Sequence, residues 1–161
     1  MCARFNIDGE IIDEAVSQAE TSNRALHSLA CGDIRPSGAS VVLAGHQMRI
    51  HAGIMHWGFP RYDGKGLIIN TRSETALEKQ IFRESTLGRR CLIPARKFYE
   101  WDRGKRMVTF FKPDQALIWM AGIYDESYRF SVLTTEANKS MAKFHDRMPI
   151  LLQPDELSRW L

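Results

Sequence analysis

From residue 40 onward the chain breaks into apolar runs too short for helices and separated by turn-forming residues, a pattern that limits the possible folds more than any other feature. Ser40 to Ala44 and Met48 to Phe59 read as two strands with a turn near Gly45, and Trp57-Gly58-Phe59-Pro60 closes the second. Leu67-Ile68-Ile69 reads as a short buried strand behind Lys65-Gly66. Cys91 to Pro94, Lys97 to Trp101, Met107 to Phe111, Ala116 to Tyr124, Tyr128 to Thr134 and Ile150 to Leu152 read as further extended segments. Short strands close together in sequence bury their apolar faces by pairing with chain neighbours, which predicts a curled, mostly antiparallel, barrel-like sheet. Helices are expected on its outside. Residues 11–30 carry apolar positions at helical spacing before Arg35-Pro36-Ser37-Gly38 punctuates the chain. A helix is expected from Asn70 through Phe82 with Asn70 or Ser73 as its cap, a short one runs from Asn138 to Phe144, and Pro154 opens a last one. The fold class is therefore α+β. With no repeat, low-complexity tract or linker in 161 residues, one domain over 1–161 is the economical organisation.

Charge narrows the function only a little. The net charge of +3 is too mild to require a polyanionic partner, but fifteen of the 22 basic residues are Arg, whose planar fork matches phosphate oxygens and stacks on flat rings. Three cysteines, Cys2, Cys31 and Cys91, form no CxxC pair, and no apolar leader or run of about 20 apolar residues is present. These features predict a reducing, cytoplasmic setting, with no secretion and no membrane partner. No cofactor is expected. His46, His51 and His56 are tempting as ligands, but a spacing of five along a strand places successive side chains on opposite faces, so no metal site is expected either.

The chain begins Met1-Cys2. Removal of an initiator Met before a small residue leaves a cysteine carrying both a thiol and a free α-amine. Such a 1,2-aminothiol condenses with an aldehyde to an imine, and its sulfur then closes on the imine carbon to give a five-membered thiazolidine. An α-amine pKa of about 7.7 to 8.0 leaves roughly a tenth of it neutral at pH 7. Phe98-Tyr99-Glu100-Trp101 sets an acid among aromatics in an expected strand, where Glu100 is either a desolvated general acid or base or a surface carboxylate. His145, beside Asp146 and Arg147 in an irregular stretch, suits a proton shuttle or a structural histidine equally. Asn70, at the end of a buried strand, is a positioned polar group or a plain helix cap. Arg4 and Arg72 with Trp57 and Trp101 supply the phosphate clamps and stacking rings that single-stranded nucleic acid requires.

These segments, in this order, resemble the SRAP family of SOS-response-associated peptidases, whose members include sensors of abasic sites in single-stranded DNA. The resemblance runs through Met1-Cys2-Ala3-Arg4-Phe5, Pro36, Trp57-Gly58, Asn70-Thr71-Arg72-Ser73-Glu74-Thr75, Arg90-Cys91-Leu92-Ile93-Pro94, Phe98-Tyr99-Glu100-Trp101, Ala121-Gly122-Ile123-Tyr124, Leu133 to Asn138 and His145-Asp146-Arg147-Met148-Pro149. It implies that Cys2, freed of Met1, traps the ring-opened deoxyribose aldehyde as a thiazolidine, that Asn70 orients the reacting groups, and that Glu100 and His145 transfer protons. It further implies phosphate contacts from Arg4 and Arg72, and stacking or wedging of flanking bases by Trp57, Trp101 and Pro36. The implied activity is crosslinking or lyase-type chemistry on abasic single-stranded DNA by a monomer, with autoproteolytic peptidase activity at its own N-terminus. Ala3 and Thr71 stand where the family commonly has Gly and Ala, the segment after Trp57-Gly58 is abbreviated, and the C-terminal part is shorter than is typical. Two other functions stay open. One is an N-terminal-nucleophile peptidase or amidohydrolase in which the Cys2 thiolate attacks an amide; the other is a non-catalytic single-stranded DNA-binding module using only the Arg and Trp residues.

Overall fold

Backbone pairing in the computed structural model, which describes residues 2–20, 26, 28, 29 and 31–161, is dominated by antiparallel ladders. In chain order the elements are β1 (Arg4–Ile7), α1 (Gly9–Ser17), β2 (Gly32–Ile34), β3 (Ala39–His46), β4 (Arg49–Trp57), β5 (Phe59–Pro60), β6 (Leu67–Ile68) and β7 (Asn70–Arg72). A 3-10 turn at Ser73–Thr75 leads to α2 (Gln80–Gly88), β8 (Arg90–Ala95), β9 (Lys97–Trp101), β10 (Met107–Phe110), β11 (Ile118–Tyr124), β12 (Arg129–Glu136), β13 (Arg147–Pro149), β14 (Leu151–Leu152) and α3 (Leu157–Trp160). Strands β12, β4, β3, β8 and β11 pair in succession, and β11 pairs back onto β12, so the larger sheet curls round on itself as the short-strand pattern predicts. Two pairings with β12 are parallel, those of β4 and β7. A smaller sheet has the order β10-β9-β1-β2.

The two sheets meet where β8 runs into β9 with only Arg96 between them. Its amide donates to Asn6 O at 2.9 Å, and its guanidinium grips Asp8 and Glu10 at the start of α1. Asp8 also caps α1, accepting from Ile11 N at 3.1 Å, so one carboxylate ends β1, starts the helix and fixes the strand crossing. The helix buries Ile11, Ile12, Ala15 and Val16. Inside, Trp57 packs on Phe5 at 5.1 Å and lies parallel to Phe130 at 6.1 Å, with Nε1 donating to Ile69 O. At Gly122 the strands approach so closely that a Cβ would stand 2.6 Å from Ile93 Cδ1 and 2.9 Å from Cys91 Sγ.

Several expectations need correction. Asn70 caps no helix: residues 70–72 form a strand beside β12, and helix begins only at Gln80, because Val132 to Thr134 offer backbone partners that local propensity cannot foresee. Residues 139–144 form hydrogen-bonded turns initiated by Asn138, whose Oδ1 accepts from Ser140 N and Met141 N, in place of the expected helix. The β3–β4 turn falls at Gln47-Met48, both with positive φ, two residues beyond Gly45. That hairpin brings the His46 and His51 rings to 6.1 Å, because a turn and not a continuous strand separates them. His56 lies further along β4, opposite Ala39. Strands β1 and β2 are additional to those expected, and of the helical pattern at 11–30, residues 21–25, 27 and 30 lie outside the described residues, as does Met1. No helix among the described residues is long and apolar enough to cross a membrane.

Candidate active site

Four segments far apart in sequence converge at the start of β1. Cys2, just before that strand, is fully buried, with Sγ 3.6 Å from Arg4 O. Asn70, the first residue of β7, reaches across to donate from Nδ2 to Cys2 O at 2.8 Å. Its Oδ1 is buried with no hydrogen-bond partner among the described residues, leaving an acceptor in place beside the cysteine backbone. Glu100 alternates with Tyr99 along β9: Phe98 and Glu100 point inward, whereas Tyr99 turns to the other face and donates to Asp33 Oδ1. Burial raises the Glu100 carboxyl above the ordinary range, and His145 pulls it partly back, which places the imidazole within electrostatic reach. The Cys2 thiol is pushed up to about 12, first by burial and then by the negative charge of Glu100.

His145 follows Phe144, whose ring packs edge-on against Phe110 at 5.7 Å while Phe110 stacks on Phe98. This aromatic row carries the loop toward Glu100, two residues along β9. The His145 Nδ1 atom accepts from Arg147 N at 2.9 Å and stands 3.0 Å from the Asp146 carboxylate. Behind the loop, Arg147 forms a two-pronged pair with Glu74 at 2.8 and 2.9 Å and donates to Thr134 O at 2.7 Å. The guanidinium holds the Glu74 carboxyl down to about 2. This pair joins the segment carrying Asn70 to the segment carrying His145.

The family model for SOS response associated peptidases matches residues 1–161. The chain belongs to the SRAP family. The relative YoqW of Bacillus subtilis (strain 168) is 30% identical over 186 aligned positions, covering 100% of this chain and 80% of its own length. YoaM of the same organism is 38% identical over 106 positions, 58% of this chain and 47% of its own length. HMCES of Xenopus tropicalis is 32% identical over 123 positions, 57% of this chain and 37% of its own length. All three are named abasic site processing proteins. The chain thus matches about half of YoaM and a smaller share of HMCES. Solved structures share the fold: a Bacteroides thetaiotaomicron protein has a TM-score of 0.83 at 22% identity over 99% of this chain and 81% of its own, and a Bordetella bronchiseptica protein has 0.77 at 23% over 99% and 88%.

The expected DNA contacts of this SRAP chain divide by position. Trp57 has 0% exposure, and a ring with no free face has none to offer a base, so its expected stacking role gives way to a core one. Trp101 is half-buried and lines a cleft of about 300 Å³ with Arg103, Phe144 and His145. Arg4 lies on the sheet face opposite Glu100, with its guanidinium carbon 5.4 Å from the Trp101 ring centre and 3.8 Å separating Nη1 from Asp33. Pro36 is half-buried in a tight turn closed by Gly38 N donating to Arg35 O, and this turn is tied to the core by Ser37 N donating to Trp57 O. Arg72 is exposed and makes no ion pair among the described residues; it shares a groove with Asn70. Nothing local in the sequence marks Glu74 and Arg147 as a pair, although both stand inside the motifs that carry the resemblance.

Proposed function

We propose that, once Met1 is removed, this protein processes abasic sites in single-stranded DNA by forming a thiazolidine between Cys2 and the deoxyribose aldehyde. The observation that carries this reading is the 2.8 Å hydrogen bond from Asn70 to the Cys2 backbone, with the buried Glu100 carboxyl near enough to act electrostatically on the Cys2 thiol. The shared name of the three relatives supports the substrate.

Burial and the charge of Glu100 raise the pKa of the Cys2 thiol, which favours the α-amine as the first nucleophile. Its neutral nitrogen adds to the aldehyde carbon, giving a carbinolamine. Loss of the hydroxyl as water, with a proton supplied by Glu100 or His145, gives the imine. The sulfur then adds to the imine carbon while its proton passes to the base and on to the ring nitrogen. One aldehyde and one aminothiol have become one thiazolidine and one water. Glu100 suits this work because its raised pKa lets it both give and accept a proton, and positioned acid–base groups typically contribute about a hundredfold to ten-thousandfold.

The test is a denaturing gel of the Met-free protein with single-stranded oligonucleotides bearing an abasic site or an intact base. A shifted band is expected only with the abasic strand, lost in Cys2→Ala and after the aldehyde is capped with an alkoxyamine. A band that survives Cys2→Ala, or peptide cleavage with no band, refutes the reading.

A further inference from the structure

On the outer face of the smaller sheet an acid stands among groups expected to meet DNA. Antiparallel pairing sets Asn6 between Asp33 and Lys97, and Arg4 beside Tyr99, so these residues share one face with Trp101. We infer that Asp33 is a specificity-determining residue, a fixed counter-charge that weakens the hold of Arg4 on the phosphates of intact strands and leaves retention to the covalent step at Cys2. This deepens the abasic-site reading and rests on it.

Three observations point this way. The first is that Asp33 is pinned. Its Oδ1 accepts from Asn6 Nδ2 at 2.9 Å and from the Tyr99 hydroxyl at 3.0 Å, while Oδ2 is the oxygen nearest Arg4. The Tyr99 ring that supplies one of these bonds is itself buried, so the carboxylate is held by the sheet and not by a mobile side chain. The second is that Arg4 does not depend on the acid for its orientation. Its guanidinium carbon lies 5.4 Å from the Trp101 ring centre and 5.9 Å from that of Tyr99, whereas 3.8 Å separates Nη1 from Asp33 Oδ2, too long for a hydrogen bond. The rings hold the cation and the carboxylate offsets its charge. The third is that Asp33 stays ionised. Partial burial works against this, but the hydrogen bonds from Asn6 and Tyr99 and the charges of Arg4 and Lys97 hold its carboxyl below the ordinary range. A phosphate seated on Arg4 therefore meets a negative charge about 5–6 Å away that cannot swing aside, which at a protein surface costs about threefold to tenfold in affinity. An intact strand, held by such contacts alone, is released sooner; an abasic strand that has reacted at Cys2 stays.

The experiment uses the full chain carrying Cys2→Ala, so that binding is read apart from crosslinking, with fluorescence anisotropy on an intact single-stranded oligonucleotide. Adding Asp33→Asn, which keeps an oxygen for Asn6 and Tyr99, is expected to tighten binding about fivefold at about 0.1 M salt and within about twofold at about 0.5 M, where the repulsion is screened. In an Arg4→Gln background the same substitution should change affinity by less than about twofold, because no phosphate is drawn to that position. Glu126→Gln, which removes an exposed acid from the turn between β11 and β12 of the larger sheet, is the control for net charge and should also stay within about twofold. Unchanged or weaker binding in Asp33→Asn overturns the inference, as does an equal gain in the Arg4→Gln background or from Glu126→Gln. In the Cys2 protein, the crosslink to an abasic strand competing with about a tenfold excess of intact strand should fall about threefold in Asp33→Asn. Tightening without any crosslink would instead locate the failure in the thiazolidine reading, and a crosslink without tightening would locate it in the role given to Asp33.

Discussion

Removing either half of the Glu74–Arg147 pair should have unequal consequences, and the order is opposite to what counting hydrogen bonds suggests. Arg147 makes the larger number of contacts, to Glu74 and to Thr134, yet it is the costly partner to keep: it is 8% exposed and its Nε is buried with no partner among the described residues. Glu74 is 46% exposed and rehydrates readily if left alone. In Arg147→Met the stem volume is kept, the Glu74 carboxylate returns to water, and Thr134 O still accepts from Ser73 Oγ at 3.1 Å. The expected loss is about 1 kcal/mol. In Glu74→Ala the guanidinium stays in the interior without its counter-ion, a loss of about 3 kcal/mol. For a domain of this size these become falls in melting temperature of about 2–4 °C and about 6–12 °C, measurable by calorimetry at pH 7. The double variant should melt close to Arg147→Met, since the charge that needed Glu74 is gone. Arg147→Met melting at or below Glu74→Ala would refute the reasoning.

The pair also has a pH signature. Glu74 is held at about 2, below its ordinary value near 4.5, so its contribution is complete above the ordinary value and is lost as pH falls through about 2. Acid unfolding followed by circular dichroism should therefore be steeper between these limits in the wild-type protein than in Glu74→Gln. In the crosslinking reaction the inflection that burial of Glu100 raises above the ordinary carboxylate range should disappear in Glu100→Gln, leaving the acid limb set by protonation of the Cys2 α-amine. Iodoacetamide under native conditions should label Cys31, which is exposed, and reach Cys91 only on unfolding, as peptide mass mapping will show. Gly122→Ala should cost about 1–3 kcal/mol in denaturant melts through overpacking against Ile93 and Cys91, with no change if the strands can part.

The strand-rich interior could be read directly from the chain, because short apolar runs between turn residues have few ways to bury themselves. The same holds for the chemistry of Cys2, which depends on covalent structure alone, and for the order of motifs that marks the family. Position was another matter. Whether Glu100 faces inward depends on which side of β9 meets the core, and a period of two is satisfied by either choice. Asn70 reads equally well as a helix cap until β12 supplies a parallel neighbour. Trp57 and Trp101 are the same residue type at the ends of similar strands, yet one is walled in by Phe5 and Phe130 while the other borders a cleft with His145. The partnership of Glu74 with Arg147, 73 residues apart, and the cluster that gathers Asp33 with Arg4 and Tyr99 exist only once the sheets have formed. Local sequence specifies what a side chain can do; long-range pairing decides which others it meets and how much water remains around it.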